Sequence, residues 1–152
     1  MLLRRILSVV IAAAGLLASV DAFAADYTVS YAFDGTTRED VAAGATSSLN
    51  EAGTTKECQY ETSCTIELTK SDLTISLIVK RSGRRKVVVY ADGGRSRSTG
   101  CCYFSDGLRL VESELTQPLL RLYIYEGHAR KRNEYVQNLP LGLLYLQLSD
   151  LK

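Results

Sequence analysis

The chain has 152 residues, 46% hydrophobic and 23% charged, with a formal net charge of +1. That is the length of one domain, enough to bury a core that cysteines need not hold together alone. It excludes a multidomain, repeat or low-complexity organisation, and no run outside the N-terminus approaches the ~20 apolar residues of a membrane-spanning helix.

In chain order, the first element is a leader. Arg4 and Arg5 form a short basic region, residues 6–20 (ILSVVIAAAGLLASV) are apolar, and Ala22 and Ala24 supply the small residues a signal peptidase reads. The pattern predicts a signal peptide over 1–24, cleaved after Ala24, and an exported domain over 25–152. The residues around Arg4-Arg5 do not follow the twin-arginine motif, and no cysteine near the cleavage site offers a lipid attachment point. The expected location is the bacterial periplasm or the exterior, with no transmembrane segment in the mature chain. Without the leader, sixteen cations balance sixteen carboxylates. The balance hides a segregation: residues 25–79 hold three cations against nine carboxylates, and residues 80–152 hold thirteen against seven.

The rest of the chain reads as strands. Tyr27, Val29, Tyr31 and Phe33 alternate with small or polar residues up to the turn pair Asp34-Gly35, a period of two. Residues 36–52, rich in Gly, Ala, Ser and Thr, suit a long loop or weak edge strand. A short strand is expected over 65–68. Leu73, Ile75, Leu77 and Val79 alternate again, Ile78 interrupts the polar face, and Ser82-Gly83 turns the chain into 87–90, so 73–91 reads as a hairpin. Further strands are expected over 102–105, 108–112, 119–125 and 143–148. In the last two, Leu120, Leu122 and Ile124, and Leu144, Leu146 and Leu148, share a face. Pro118 and Pro140 fall outside the runs, as proline must. No period of 3.6 persists for three turns. The fold class is all-β: a single antiparallel β-sandwich or partly closed barrel of seven to nine short strands. The strands are too short for an outer-membrane barrel.

Cys58, Cys64, Cys101 and Cys102 make an even count, which in an exported chain points to disulfides. Adjacent residues sit about 3.8 Å apart across a trans peptide, closer than the roughly 4.4–6.8 Å a disulfide prefers. The less strained map therefore ties the 58–64 loop to Cys101-Cys102 by two bridges, the first stabilising the fold by about 4 kcal/mol. The other map pairs Cys58 with Cys64 and leaves Cys101-Cys102 as a vicinal ring or free thiols. A redox or metal site at Cys101-Cys102 is the chemical alternative. Its cysteines lack C-x-x-C spacing at a helix N-terminus, and zinc or copper ligands are scarce, since His128 is the only histidine.

His128 lies in a polar connection with no nucleophile motif nearby, so an enzyme, such as a small hydrolase using His128 or carboxylates, has no motif in its favour. The basic clusters carry more. Lys80, Arg81, Arg84, Arg85 and Lys86 crowd one hairpin tip, Arg95 and Arg97 follow the next turn, and Arg130-Lys131-Arg132 decorate another loop. Such charge is commonly solvated protection for strand ends; as a surface it would bind an anionic glycan, a lipid head group or an acidic protein, with no signature for nucleic acid. Tyr27, Tyr31, Tyr123, Tyr125 and Tyr145 stand at strand positions suited to packing or to an interface. The reading that results is a non-enzymatic exported binding protein with a macromolecular partner, an inhibitor of an envelope-targeting enzyme being one form, and no cofactor. The alternative is a thiol-dependent redox or metal-binding protein centred on Cys101-Cys102. Self-association through the oppositely charged halves is a further expectation.

Overall fold

The computed structural model describes residues 25–36, 42–44, 49–81, 85–93, 101–117, 119–127 and 140–151. The expected leader, 1–24, lies outside them. Nine strands form: β1 (Tyr27–Gly35), β2 (Glu51–Cys58), β3 (Cys64–Leu68), β4 (Leu73–Lys80), β5 (Lys86–Gly93), β6 (Tyr103–Phe104), β7 (Leu110–Glu114), β8 (Leu119–Tyr125) and β9 (Gly142–Ser149). They build two antiparallel sheets, β2-β1-β9-β8-β6 and β3-β4-β5-β7, packed as a β-sandwich rather than a barrel.

The period of two decides what lies between the sheets. Val29 and Phe33 of β1, Ile75, Leu77 and Val79 of β4, Val87 and Val89 of β5, and Leu144, Leu146 and Leu148 of β9 are buried in one core. Leu120 and Leu122 of β8 pack against it, and Ile124 lies within it. Ile78, which interrupts the polar face of β4, is explained by register: it stands opposite Val88 on the outer face of the four-stranded sheet.

Two expectations are corrected. The segment over 36–52, expected as a loop or weak edge strand, runs into an edge strand that continues to Cys58, β2, six of whose eight residues are in register with β1, its one neighbour among the described residues. Its sequence, EAGTTKEC, gives no apolar alternation because it is an edge strand with one neighbour, and it contributes Cys58 alone to the core. The second correction concerns the disulfides. Cys58 pairs with Cys64, and Cys101 with Cys102, rather than across the two groups. The topology gives the reason. Cys58 and Cys64 flank the crossing from β2 to β3 at one edge of the sandwich, whereas Cys101-Cys102 lead into β6 at the opposite edge. Four strand spacings separate β2 from β6, roughly 19 Å, several times what a disulfide spans. The two groups also lie toward opposite ends of the strands: Cys58 is opposite Tyr27, the start of β1, while the Cys101 carbonyl accepts a hydrogen bond from the Gly93 amide at the end of β5.

Candidate functional site

The basic hairpin tip stands at the end of the sandwich that carries the Cys58–Cys64 bridge. Lys80 closes β4, Lys86 opens β5, and the two lysines are directly opposite, a like-charge pair that costs stability unless a carboxylate intervenes. β7 supplies it. Lys86 Nζ lies 2.7 Å from Glu112 Oε1. The hydrogen bond from Lys86 holds the Glu112 carboxyl below its ordinary value, and the same bond raises the Lys86 ammonium. Both groups are well exposed, so salt screens the pair.

The arginines are held differently. The Arg81 backbone N–H donates to Glu61 Oε1 at 2.7 Å, while the Arg81 guanidinium lies 5.1 Å from the centroid of the Tyr60 ring, a cation–π distance. Tyr60 in turn packs on Tyr27, with ring centroids 5.5 Å apart. Arg85 accepts a backbone hydrogen bond from Leu115. Arg81 and Arg85 are both exposed, and among the described residues neither they nor Lys80 sit within ion-pair distance of a carboxylate. The Tyr60 ring therefore positions the Arg81 guanidinium without neutralising it, while Lys80 shares the field of Glu112 with Lys86.

Beneath the tip, Tyr27 is 1% exposed and its phenolic oxygen has no hydrogen-bond partner. Burial pushes its pKa up to about 12 from the ordinary 10.0; the Val79 backbone beside it offsets this only in part, its placement falling short of a formed hydrogen bond.

The structure thus brings together Lys80, Arg81, Arg85 and Lys86. Arg84 lies outside the described residues, as do Arg95, Arg97, His128 and Arg130-Lys131-Arg132. The connection carrying Arg95 and Arg97 leaves from Gly93, at the opposite end of β5 from Lys86, so its anchor is not at the hairpin tip. Ion pairs among the described residues, Lys86–Glu112 and Arg109–Asp92, join residues within the basic half rather than linking the two halves. Among the described residues no group of three or more His, Cys, Asp or Glu side chains is placed to hold a metal ion, and no helix is long and apolar enough to cross a membrane.

A second surface was not assembled by sequence reasoning: the outer face of the five-stranded sheet. Register arranges it as three rows across β1, β9 and β8. The first is Asp34, Leu143 and Tyr123; the second Ala32, Tyr145 and Arg121; the third Ser30, Gln147 and Leu119. Tyr123 is 47% exposed and Leu119 40%. Arg121 reaches over Tyr145, 5.9 Å from the ring centroid. Beside β1 the surface sinks into a cleft of about 340 Å³ lined in part by Ala32, Asp34, Asn50, Ala52 and Tyr145. The signal was present in the sequence as Leu and Tyr at 119, 123, 143 and 145, alternating with core leucines where a solvated face calls for polar residues.

No protein-family model, curated protein or solved structure matches this chain.

Proposed function

We propose that the chain is an exported, non-enzymatic binding protein, acting in the periplasm or outside the cell, and that its basic hairpin end engages an acidic surface on a protein partner. The observation that carries this reading is the exposed pair Arg81 and Arg85, flanking the hairpin turn, with Arg81 set over the Tyr60 ring and neither guanidinium within ion-pair distance of a carboxylate among the described residues. A cation held in place but not neutralised retains its charge for an incoming anion and loses little side-chain freedom on binding. An enzyme inhibitor whose basic tip enters an acidic cleft is one form of this function. The test is capture from envelope and culture extracts with the wild-type protein and with Arg81→Ser plus Arg85→Ser. A protein retained by the wild type, released by salt and lost with the double variant supports the reading. Equal retention by both removes the hairpin end from consideration, and retention only of anionic glycan reassigns it to that ligand.

The alternative, redox chemistry at Cys101-Cys102, is favoured by their pairing with each other and opposed by their burial, since both are 0% exposed. Exchange would require a dithiol to deliver two electrons and two protons and leave as its own disulfide, and attack requires access to a sulfur. Thiol labelling of the folded protein after dithiol treatment decides it. Modification of Cys101 and Cys102 without unfolding supports a redox site, and modification only in denaturant makes the pair structural.

A further inference from the structure

The outer face of the five-stranded sheet has a property that a solvated face does not need: it is complementary to itself. β9 is the middle strand of the sheet, with β1 on one side and β8 on the other. Projecting residues stand on the β8 side, where Tyr123 is 47% exposed and Arg121 is cationic. The recess stands on the β1 side, where Asp34 and Ala32 line the cleft of about 340 Å³. The sheet thus carries a projecting ring and a cation on one side of its central strand, a shallow open recess and a carboxylate on the other.

We propose that this face is a dimer interface, occupied by a second copy of the same chain about a two-fold axis running along β9. That axis exchanges the β1 and β8 sides while preserving each row. It places the partner's Tyr123 over the row containing Asp34, at the cleft, with its hydroxyl toward the carboxylate. It places the partner's Arg121 over Ala32, one same-face step along the strand from Asp34. Leu143 and Tyr145 meet their own counterparts at the axis. Every contact away from the axis occurs twice, as an isologous interface requires, and sheets packing face to face with aligned strands are a standard arrangement.

The area suits the proposal. The strands of this sheet, of which β6 has only two residues, cover roughly 540 Å² per copy at about 4.8 Å between strands and about 3.3 Å per residue. A total of roughly 1,100 Å² falls just under the about 1,200 Å² of specific, stable interfaces, so association belongs in the micromolar range rather than the nanomolar. On the outer face of the other sheet the residues Thr65, Glu67, Thr74 and Ser76 of β3 and β4 are polar, and the apolar ones, Ile78, Val88, Tyr90 and Leu110, gather toward β5 and β7 with the Lys86–Glu112 pair beside them.

Sedimentation velocity over a concentration series tests the dimer on the purified protein. The expected result is a reversible monomer–dimer equilibrium with a micromolar dissociation constant. Arg121→Asp alone and Asp34→Arg alone each weaken it at least about tenfold, and the two together restore it to within about threefold, because the charges are exchanged rather than lost. Tyr123→Glu sets a carboxylate against Asp34 and abolishes it. All three positions are exposed, so circular dichroism and melting should report intact folds. A monomer at every concentration overturns the proposal and leaves the face to another partner, and a dimer indifferent to these changes overturns it equally.

Discussion

At the scale of single residues, two buried positions carry opposite consequences. Tyr27 places an unpartnered hydroxyl in the core, where burial raises its pKa to about 12. A folded-state value above the unfolded one means that the unfolded chain releases its proton first. Stability is therefore fully present below pH 10 and falls as pH rises toward about 12. Tyr27→Phe removes both the titration and the orphaned donor. Its melting temperature should equal or exceed the wild type's at neutral pH, and its decline through the alkaline range should be shallower; paired urea melts across that range measure both. Gly142 is the reverse case. A Cβ there would run into the Phe33 ring and lie 2.5 Å from the Asp34 carbonyl oxygen, a backbone atom in the adjoining strand that cannot swing aside. Gly142→Ala should cost about 1–3 kcal/mol. At Gly53 the obstruction is the hydroxyl end of Tyr31, 2.6 Å away, which can rotate. Reduced unfolded-state entropy offsets that adjustment, so Gly53→Ala should change stability by less than about 1 kcal/mol.

At the scale of elements, the cysteines are understood by where the chain changes sheets. Cys58 and Cys64 bracket the first crossing, six residues apart, and Cys101-Cys102 end the connection from β5 to β6. The short loop limits the entropic gain of the Cys58–Cys64 bridge to about 2 kcal/mol in the chain-entropy model; that replaces the about 4 kcal/mol expected of a bridge between distant segments. Cys58→Ala with Cys64→Ala should lower the unfolding free energy by about 2 kcal/mol or slightly more, since both side chains are buried, and chemical denaturation reads the difference directly. What the sequence disclosed at this scale followed from burial. β1, β4, β8 and β9 alternate because one face of each is in the core, and β5 shows as a run of valines, Val87, Val88 and Val89, buried on both faces; all were visible. β2 was not: the residue it turns toward Tyr31 is Gly53, whose missing side chain is what leaves room for the ring. The basic tip was legible because like charges flank a turn. The aromatic face was only half legible, since Tyr123 and Tyr145 could be seen in their strands but not that β9 joins β8 to β1. The cysteine map was illegible for the same reason: it depends on which edges β2, β3 and β6 occupy, and strand order leaves no mark in local periodicity.

At the scale of the whole molecule, that strand order makes β9 the keystone of the larger sheet. β9 pairs with β1, the first strand of the domain, and with β8, its predecessor in sequence. Until residues 142–149 are present, β1 and β2 have no hydrogen-bonded link to β8 and β6. β9 also buries Leu144, Leu146 and Leu148, each 2% exposed or less. At roughly 1.5–3 kcal/mol for each leucine, these three side chains contribute about 5–9 kcal/mol, comparable to the whole net stability of an ordinary domain, about 5–15 kcal/mol. The smaller sheet is different, because β3, β4 and β5 follow one another as a meander and can pair as soon as they are synthesised. Completion of the larger sheet must therefore wait for residues 142–149. A chain ending at residue 140 should accordingly show no cooperative thermal transition and rapid proteolysis. Adding a synthetic peptide of residues 141–152 should restore a transition by inserting between β1 and β8, since the gap presents unpaired backbone on both sides. A cooperative melt in the truncated chain by itself would show that β9 completes a fold already formed rather than permitting one.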